Sequence, residues 1–145
     1  MKVGIANDHH GVEIKQELTK YLESLGYDVI NYGTDGSEMV DYPDYAFKIG
    51  KEAANNNIDF GILLCNTGIG MSIACNKVKG ARCAKVSNEY EAEMTRRDNN
   101  ANVIALSCRL EMDELKKIIS KFLTSEYADI DRYKRRVDKI NNYSD

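Results

Sequence analysis

Gly61-Ile62-Leu63-Leu64-Cys65-Asn66-Thr67-Gly68-Ile69-Gly70 is an apolar run that ends in a cysteine and opens into a glycine-rich turn, with the helix-like stretch Met71 to Val78 behind it. Read as strand, turn and helix, it is one unit of a parallel α/β sheet. It sets a thiol, a hydroxyl and several backbone N–H groups at the carboxyl end of a strand, where such sheets bind ligands. Gly68 and Gly70 let the backbone approach an anion closely, and the following helix turns its positive end to the same spot. No Lys follows the last glycine and the dinucleotide fingerprint is incomplete, so neither nucleotide motif is present. On this loop alone, a ligand site and a small buried core cysteine remain alternatives.

Working outward, short apolar runs alternate with amphipathic ones. Strands are expected at 2–6, 27–32, 60–65, 81–86 and 101–106, and helices at 12–25, 45–55, 71–78, 88–97 and 112–123, with a basic helix from about Asp131. The alternation predicts a three-layer α/β/α fold, a Rossmann-like, doubly wound, five-stranded parallel sheet with a C-terminal helix. In the first helix Val12, Ile14, Leu18, Tyr21, Leu22 and Leu25 recur mostly at helical spacing, and Gly26 supplies the stop. The only proline, Pro43, falls in an expected loop, 38–44. No repeat or linker divides the chain, so residues 1–145 are expected to form a single domain.

A net charge of −3 with interleaved signs argues against a nucleic-acid partner and favours a small molecule. The four cysteines have no C-x-x-C pair, and only His9 and His10 are at hand to complete a metal shell, so no metal site is expected. The absence of a leader-like or membrane-spanning apolar run points to a cytoplasmic protein with reduced thiols and no membrane partner.

Three further groupings can carry chemistry. Asp8-His9-His10-Gly11 follows the first strand and reaches the same sheet edge as Cys65 if the two strands are neighbours, although Asp8 can equally be a helix cap. Arg132 and Arg136 are spaced i, i+4 on the last helix beside an apolar stripe, either a phosphate clamp or a solvated basic face. Asn99 and Asn102 flank the fifth strand as sugar-hydroxyl partners or as turn residues, and Arg109 beyond that strand is placed to reach a phosphate.

Taken together, Asp8-His9, Val40-Asp41-Tyr42-Pro43-Asp44-Tyr45, Cys65-x-Thr67-Gly68-Ile69-Gly70-Met71-Ser72, Asn76-Lys77-Val78, Asn99-x-Ala101-Asn102-Val103 and Arg132-x-x-x-Arg136-Val137 resemble the type B ribose-5-phosphate isomerases. Six blocks in order, from residue 1 to about Ile140, carry the resemblance. It implies interconversion of ribose 5-phosphate and ribulose 5-phosphate through an enediolate, with no metal or organic cofactor. Cys65 would be the base, Thr67 its neighbour, and the amides from Gly68 through Gly70 and Met71 to Ser72 the oxyanion site. Asp8 and Asn99 would contact sugar oxygens, Tyr42 would line the pocket, and His9, Arg109, Arg132 and Arg136 would surround the phosphate. Family sites are built between two subunits, so a homodimer or a dimer of dimers is implied.

The chain departs from the family's pattern in three places. Asp98 stands where the family usually has the His assigned to ring opening, Tyr133 where a His often follows the first C-terminal Arg, and Asn66 where Gly is common. A carboxylate at position 98, about 4 Å from an enediolate, costs up to ~4 kcal/mol at an effective dielectric near 20. Hence Arg96 or Arg97 neutralises it, or His10 takes over, or ring opening is weak. The alternatives are a hexose 6-phosphate isomerase (galactose or allose 6-phosphate), and a weakly active sugar-phosphate-binding subunit of a hetero-oligomer.

Overall fold

The computed structural model describes residues 1–145. Five strands, β1 (Lys2–Asn7), β2 (Asp28–Asn31), β3 (Phe60–Cys65), β4 (Cys83–Lys85) and β5 (Val103–Ser107), form one all-parallel sheet in the order β2-β1-β3-β5-β4. Helices α1 (Val12–Ser24), α4 (Glu89–Asn99) and α5 (Met112–Thr124) cover one face, α2 (Tyr42–Ala54) and α3 (Ile69–Cys75) the other, and α6 (Asp131–Asn142) packs by α4. The three-layer fold expected from the alternation is the one observed.

The period of two along each strand divides the core. Val3, Ile5, Ile62, Leu64, Ile104 and Leu106 meet Leu18, Leu22, Ile118 and Phe122 on the α1/α5 face, where Phe60 and Phe122 pack edge to face at 5.2 Å. Ala6, Leu63, Cys65, Val103 and Ala105 meet Ala46, Ile49, Met71 and Cys75 on the α2/α3 face. Each large aliphatic so buried contributes about 1.5–3 kcal/mol. By the same parity Cys65 is placed on the face that carries α3.

Some boundaries differ from expectation for local reasons. Helix α2 begins at Tyr42, and Pro43 lies in its first turn rather than in a loop; the missing N–H has no intrahelical acceptor there anyway. Helix α3 starts two residues earlier, at Ile69, because Gly68 at φ +80° turns the chain directly into it. Leu25 is 53% exposed, whereas Lys15 is buried, its Nζ donating to Thr34 O at 2.7 Å and Asp35 Oδ1 at 2.6 Å. The Lys15 ammonium in turn holds the Asp35 carboxyl below its ordinary range.

Two asparagines finish the sheet. Asn76, just after α3, accepts from Cys83 N and donates to Cys83 O, both at 2.8 Å, so its carboxamide occupies the outer edge of β4. Asn7 is fully buried, and its Nδ2 donates to Asp8 O at 2.8 Å and to Thr34 O at 3.1 Å, tying the end of β1 to the segment after β2. Gly33 makes that approach possible, since a Cβ there would run into Asn7 Oδ1 and lie 2.6 Å from Asn7 N. Gly33→Ala is expected to cost about 1–3 kcal/mol and lower the urea midpoint. Gly36→Ala, whose Cβ would meet nothing closer than Thr34 Oγ1 at 3.8 Å, should leave the midpoint unmoved.

Candidate active site

The chain runs from β1 outward to β2 and then crosses to β3 on β1's other side, so the strand order reverses between β1 and β3. Three loops converge beyond the strand ends at that point. Asp8 N donates to Leu64 O at 3.1 Å and Cys108 N to Cys65 O at 2.9 Å, which lock the loops after β1 and β5 onto the end of β3.

Cys65 is 6% exposed and its Sγ accepts the Gly68 N–H at 3.1 Å. Gly68 can sit so close only without a side chain, because a Cβ there would lie 3.0 Å from Leu106 C. Thr67 Oγ1 accepts from Ile69 N at 3.2 Å and begins α3. The next two N–H groups, of Gly70 and Met71, have no acceptor within the chain. Ser72 turns its hydroxyl back to Ile69 O at 2.8 Å, and the Met71 side chain is wholly buried, so these two residues contribute through the backbone or as support. Tyr42 lies over the turn: a Cβ on Gly70 would be 2.6 Å from Tyr42 Cζ.

Asp8 is 5% exposed and both its oxygens are used. Oδ1 accepts from His10 N at 2.9 Å, which caps the short 3₁₀ turn His9–Gly11, and Oδ2 lies 3.1 Å from His10 Nδ1. Asp8 thus caps that short turn, and α1 itself begins from Gly11. His9 Nδ1 accepts from Val40 N at 3.4 Å, which leaves its Nε2–H as a donor, and the two imidazoles are 4.2 Å apart. Asp8, His9 and His10 bring one donor atom each within 4.8 Å of one another. Both Asp8 oxygens are engaged by His10, which ties the two residues into one hydrogen-bonded cluster.

Arg109 is exposed at this same edge, its N–H bonded to Ser107 Oγ at 3.1 Å, while Ser107 donates to Asn66 O at 2.7 Å. Cys108 lies on the opposite face of the sheet from Cys65, its Sγ close to Gly11. Burial first, then the nearby Asp8 and Cys65, push its thiol up to about 12.

The remaining expected residues are elsewhere. Helix α4 runs back from the carboxyl edge, so Asp98 and Asn99 lie at the amino edge, a strand length of about 16 Å from Cys65. There Asn99 lines a cavity of about 290 Å³ with Asn76, Arg82, Cys83 and Thr95. Helix α6 is tied to that end of the molecule, since Ala128 N donates to Arg97 O at 3.0 Å and Arg82 Nη1 to Asn141 Oδ1 at 2.8 Å, and Arg132 and Arg136 are exposed on it. Within one chain, then, Asp8, His9, Tyr42, Cys65, Thr67, the Gly68–Ser72 turn and Arg109 share one edge, and Asp98, Asn99, Arg132 and Arg136 share the other.

Asp98 is neutralised by Arg97, whose Nε donates to Oδ1 at 2.8 Å. Arg96 is committed to the core, with Nη1 on Ala101 O at 2.7 Å and its guanidinium 4.7 Å from the Phe60 ring. Asn102 bonds Arg82 N and Gly80 O and is a turn residue. What sequence reading missed is the Asp8–His10 pairing, whose only linear signal is a carboxylate two residues before an imidazole in a strand-ending loop.

A family model described as Ribose/Galactose Isomerase matches residues 3–140. Ribose-5-phosphate isomerase B of Escherichia coli K12 is 39% identical over 140 residues, 96% of this chain and 93% of that one. The structure of Clostridium thermocellum ribose-5-phosphate isomerase B superposes with a TM-score of 0.94 at 42% identity, covering 97% and 95% of the two chains. The Mycoplasma genitalium enzyme, solved with bound ribulose 5-phosphate, gives 0.93 at 37% identity over 98% and 95%.

Proposed function

The chain belongs to the ribose/galactose isomerase family, and from that premise we propose that it interconverts ribose 5-phosphate and ribulose 5-phosphate with Cys65 as the proton-transfer base and no cofactor. The observation that carries the reading is Cys65 itself, a thiol at the strand-order reversal that accepts an N–H at 3.1 Å beside two uncommitted amides. The thiolate takes the proton from C2 of the open-chain aldose, the electron pair moves into an enediolate with its charge on O1, the O2 proton passes to O1, and the thiol returns its proton to C1 as C2–O2 becomes the carbonyl. The Gly70 and Met71 N–H groups meet the oxyanion already oriented, an arrangement worth on the order of 3 kcal/mol per donor.

His9, through its Nε2–H, and Arg109 serve the phosphate from this chain. Asn99, Arg132 and Arg136, and Asp98 held by Arg97, complete the pocket from a second copy, and their place at the far edge of their own chain supports a homodimer with two shared sites. Phosphate binding there orients the sugar and adds no chemistry of its own. The single-domain organisation of residues 1–145 fits the one continuous sheet. No helix is long and apolar enough to cross a membrane, in keeping with a cytoplasmic location.

A coupled assay of the purified protein against pentose 5-phosphates and hexose 6-phosphates, with and without chelator, tests the reading. Turnover is expected with ribose 5-phosphate and ribulose 5-phosphate and is expected to survive the chelator. Preference for a hexose 6-phosphate would transfer the same chemistry to a longer substrate, and inactivity on the whole panel would leave only a binding role.

A further inference from the structure

The proton transfer assigned to Cys65 acts on an open chain, whereas an aldopentose 5-phosphate in water is closed into a furanose ring through its C4 oxygen. Opening the ring needs a group that removes the anomeric hydroxyl proton and delivers a proton to the ring oxygen. Among side chains imidazole is the one suited to both at neutral pH. Resting on the isomerase reading above, we infer that His10, held by Asp8, is the group that opens the sugar ring.

The other candidates at the carboxyl edge are committed. Cys65 is used on carbon, and the thiol of Cys108, pushed up to about 12, stays protonated on the far face of the sheet. His9 has its Nδ1 occupied by the Val40 N–H and presents a donor only. Asp98, the acid at the opposite edge, is bound by Arg97 at 2.8 Å. His10 has the reverse arrangement to His9: a carboxylate can only accept, so Nδ1 carries the hydrogen toward Asp8 Oδ2 at 3.1 Å and Nε2 keeps its lone pair. Its side chain is 44% exposed while Asp8 is almost wholly buried, the combination that orients an imidazole and leaves its working nitrogen accessible.

The step balances within the pair. His10 Nε2 takes the proton from O1, and the O1–H electron pair becomes the second bond of the C1 carbonyl. The C1–O4 bond breaks toward O4, and the imidazolium, facing the Asp8 carboxylate, returns the proton to O4. The ring is open and His10 is neutral again.

Single-turnover reactions with enzyme in excess test this. Wild type should convert ribose 5-phosphate in one phase whose rate rises with enzyme concentration. In His10→Asn only the small open-chain fraction should react promptly, and the remainder should follow about 10²-fold more slowly, at the solution ring-opening rate and independent of enzyme concentration. Ribulose 5-phosphate has its C5 oxygen esterified and forms no furanose, so solvent deuterium should still enter its C1 in the variant. One enzyme-dependent phase with ribose 5-phosphate in His10→Asn overturns the inference. So does a loss of deuterium exchange as large as the loss of conversion, which would mark His10 as a support for Asp8. A wild type that neither converts nor exchanges removes the isomerase reading itself, and this inference with it. A thermal melt of the variant accompanies the kinetics as the check on folding.

Discussion

Cys65→Ala abolishes isomerisation, with turnover reduced by at least about 10³-fold, the scale of a positioned proton-transfer group, while sugar phosphate still binds. The thiol is expected to move a proton rather than anchor the ligand, so the loss should fall on kcat and leave the dissociation constant from calorimetry within a few-fold of wild type. The small side chain removed from a packed site costs little stability, and the Gly68 amide it releases can turn to water. Cys75, Cys83 and Cys108 provide the contrast. Cys83 is held protonated by its contact with Cys75 and by burial, and Cys108 by burial, so their alanine variants should turn over at rates close to wild type. Residual turnover in Cys65→Ala comparable to wild type would remove the base from the mechanism.

Two crippled variants are expected to rescue each other. Arg136→Ala should raise KM strongly by removing a charge-assisted bond to the phosphate dianion, and Cys65→Ala should be inactive. If each site takes Cys65 from one copy and Arg136 from another, a mixed pair has one site with both lesions and one with none. Unfolding the two variants together and refolding them should then return about a quarter of wild-type activity at low substrate, the statistical share for a two-fold assembly. No gain on mixing would place both residues in one copy's site and contradict the division between the sheet's two edges.

The element order was legible because each strand is a short apolar run bounded by turn residues and each helix has a recognisable face. The strand order was not, since pairing across the sheet depends on contacts with no local signature. Asp41-Tyr42-Pro43 read as loop because a proline normally interrupts a helix, and only its place in the first turn of α2 makes it compatible. Half of the candidate site was legible for a topological reason: Asp8 and Cys65 both end strands, and parallel strands end together. Of the other half, Asn99, Arg132 and Arg136 were legible only as one of two alternatives and Asp98 only from the resemblance, and the return of α4 places Asp98 and Asn99 at the far edge of the same chain. The Arg97–Asp98 pair was foreshadowed only as an alternative and the Asp8–His10 pair not at all, because which of two adjacent residues faces inward is decided by packing.

Asn76 has a consequence for how copies of this chain can associate. A three-residue outer strand such as β4 offers a template on which another chain can add, and proteins commonly guard such edges with charge or proline. Here a single carboxamide imitates one peptide unit and satisfies both outward groups of Cys83. The sheet is thereby sealed at that margin and cannot grow by strand addition there. A copy that approaches this margin therefore has to meet side chains there, where a continued sheet would run on into a fibre.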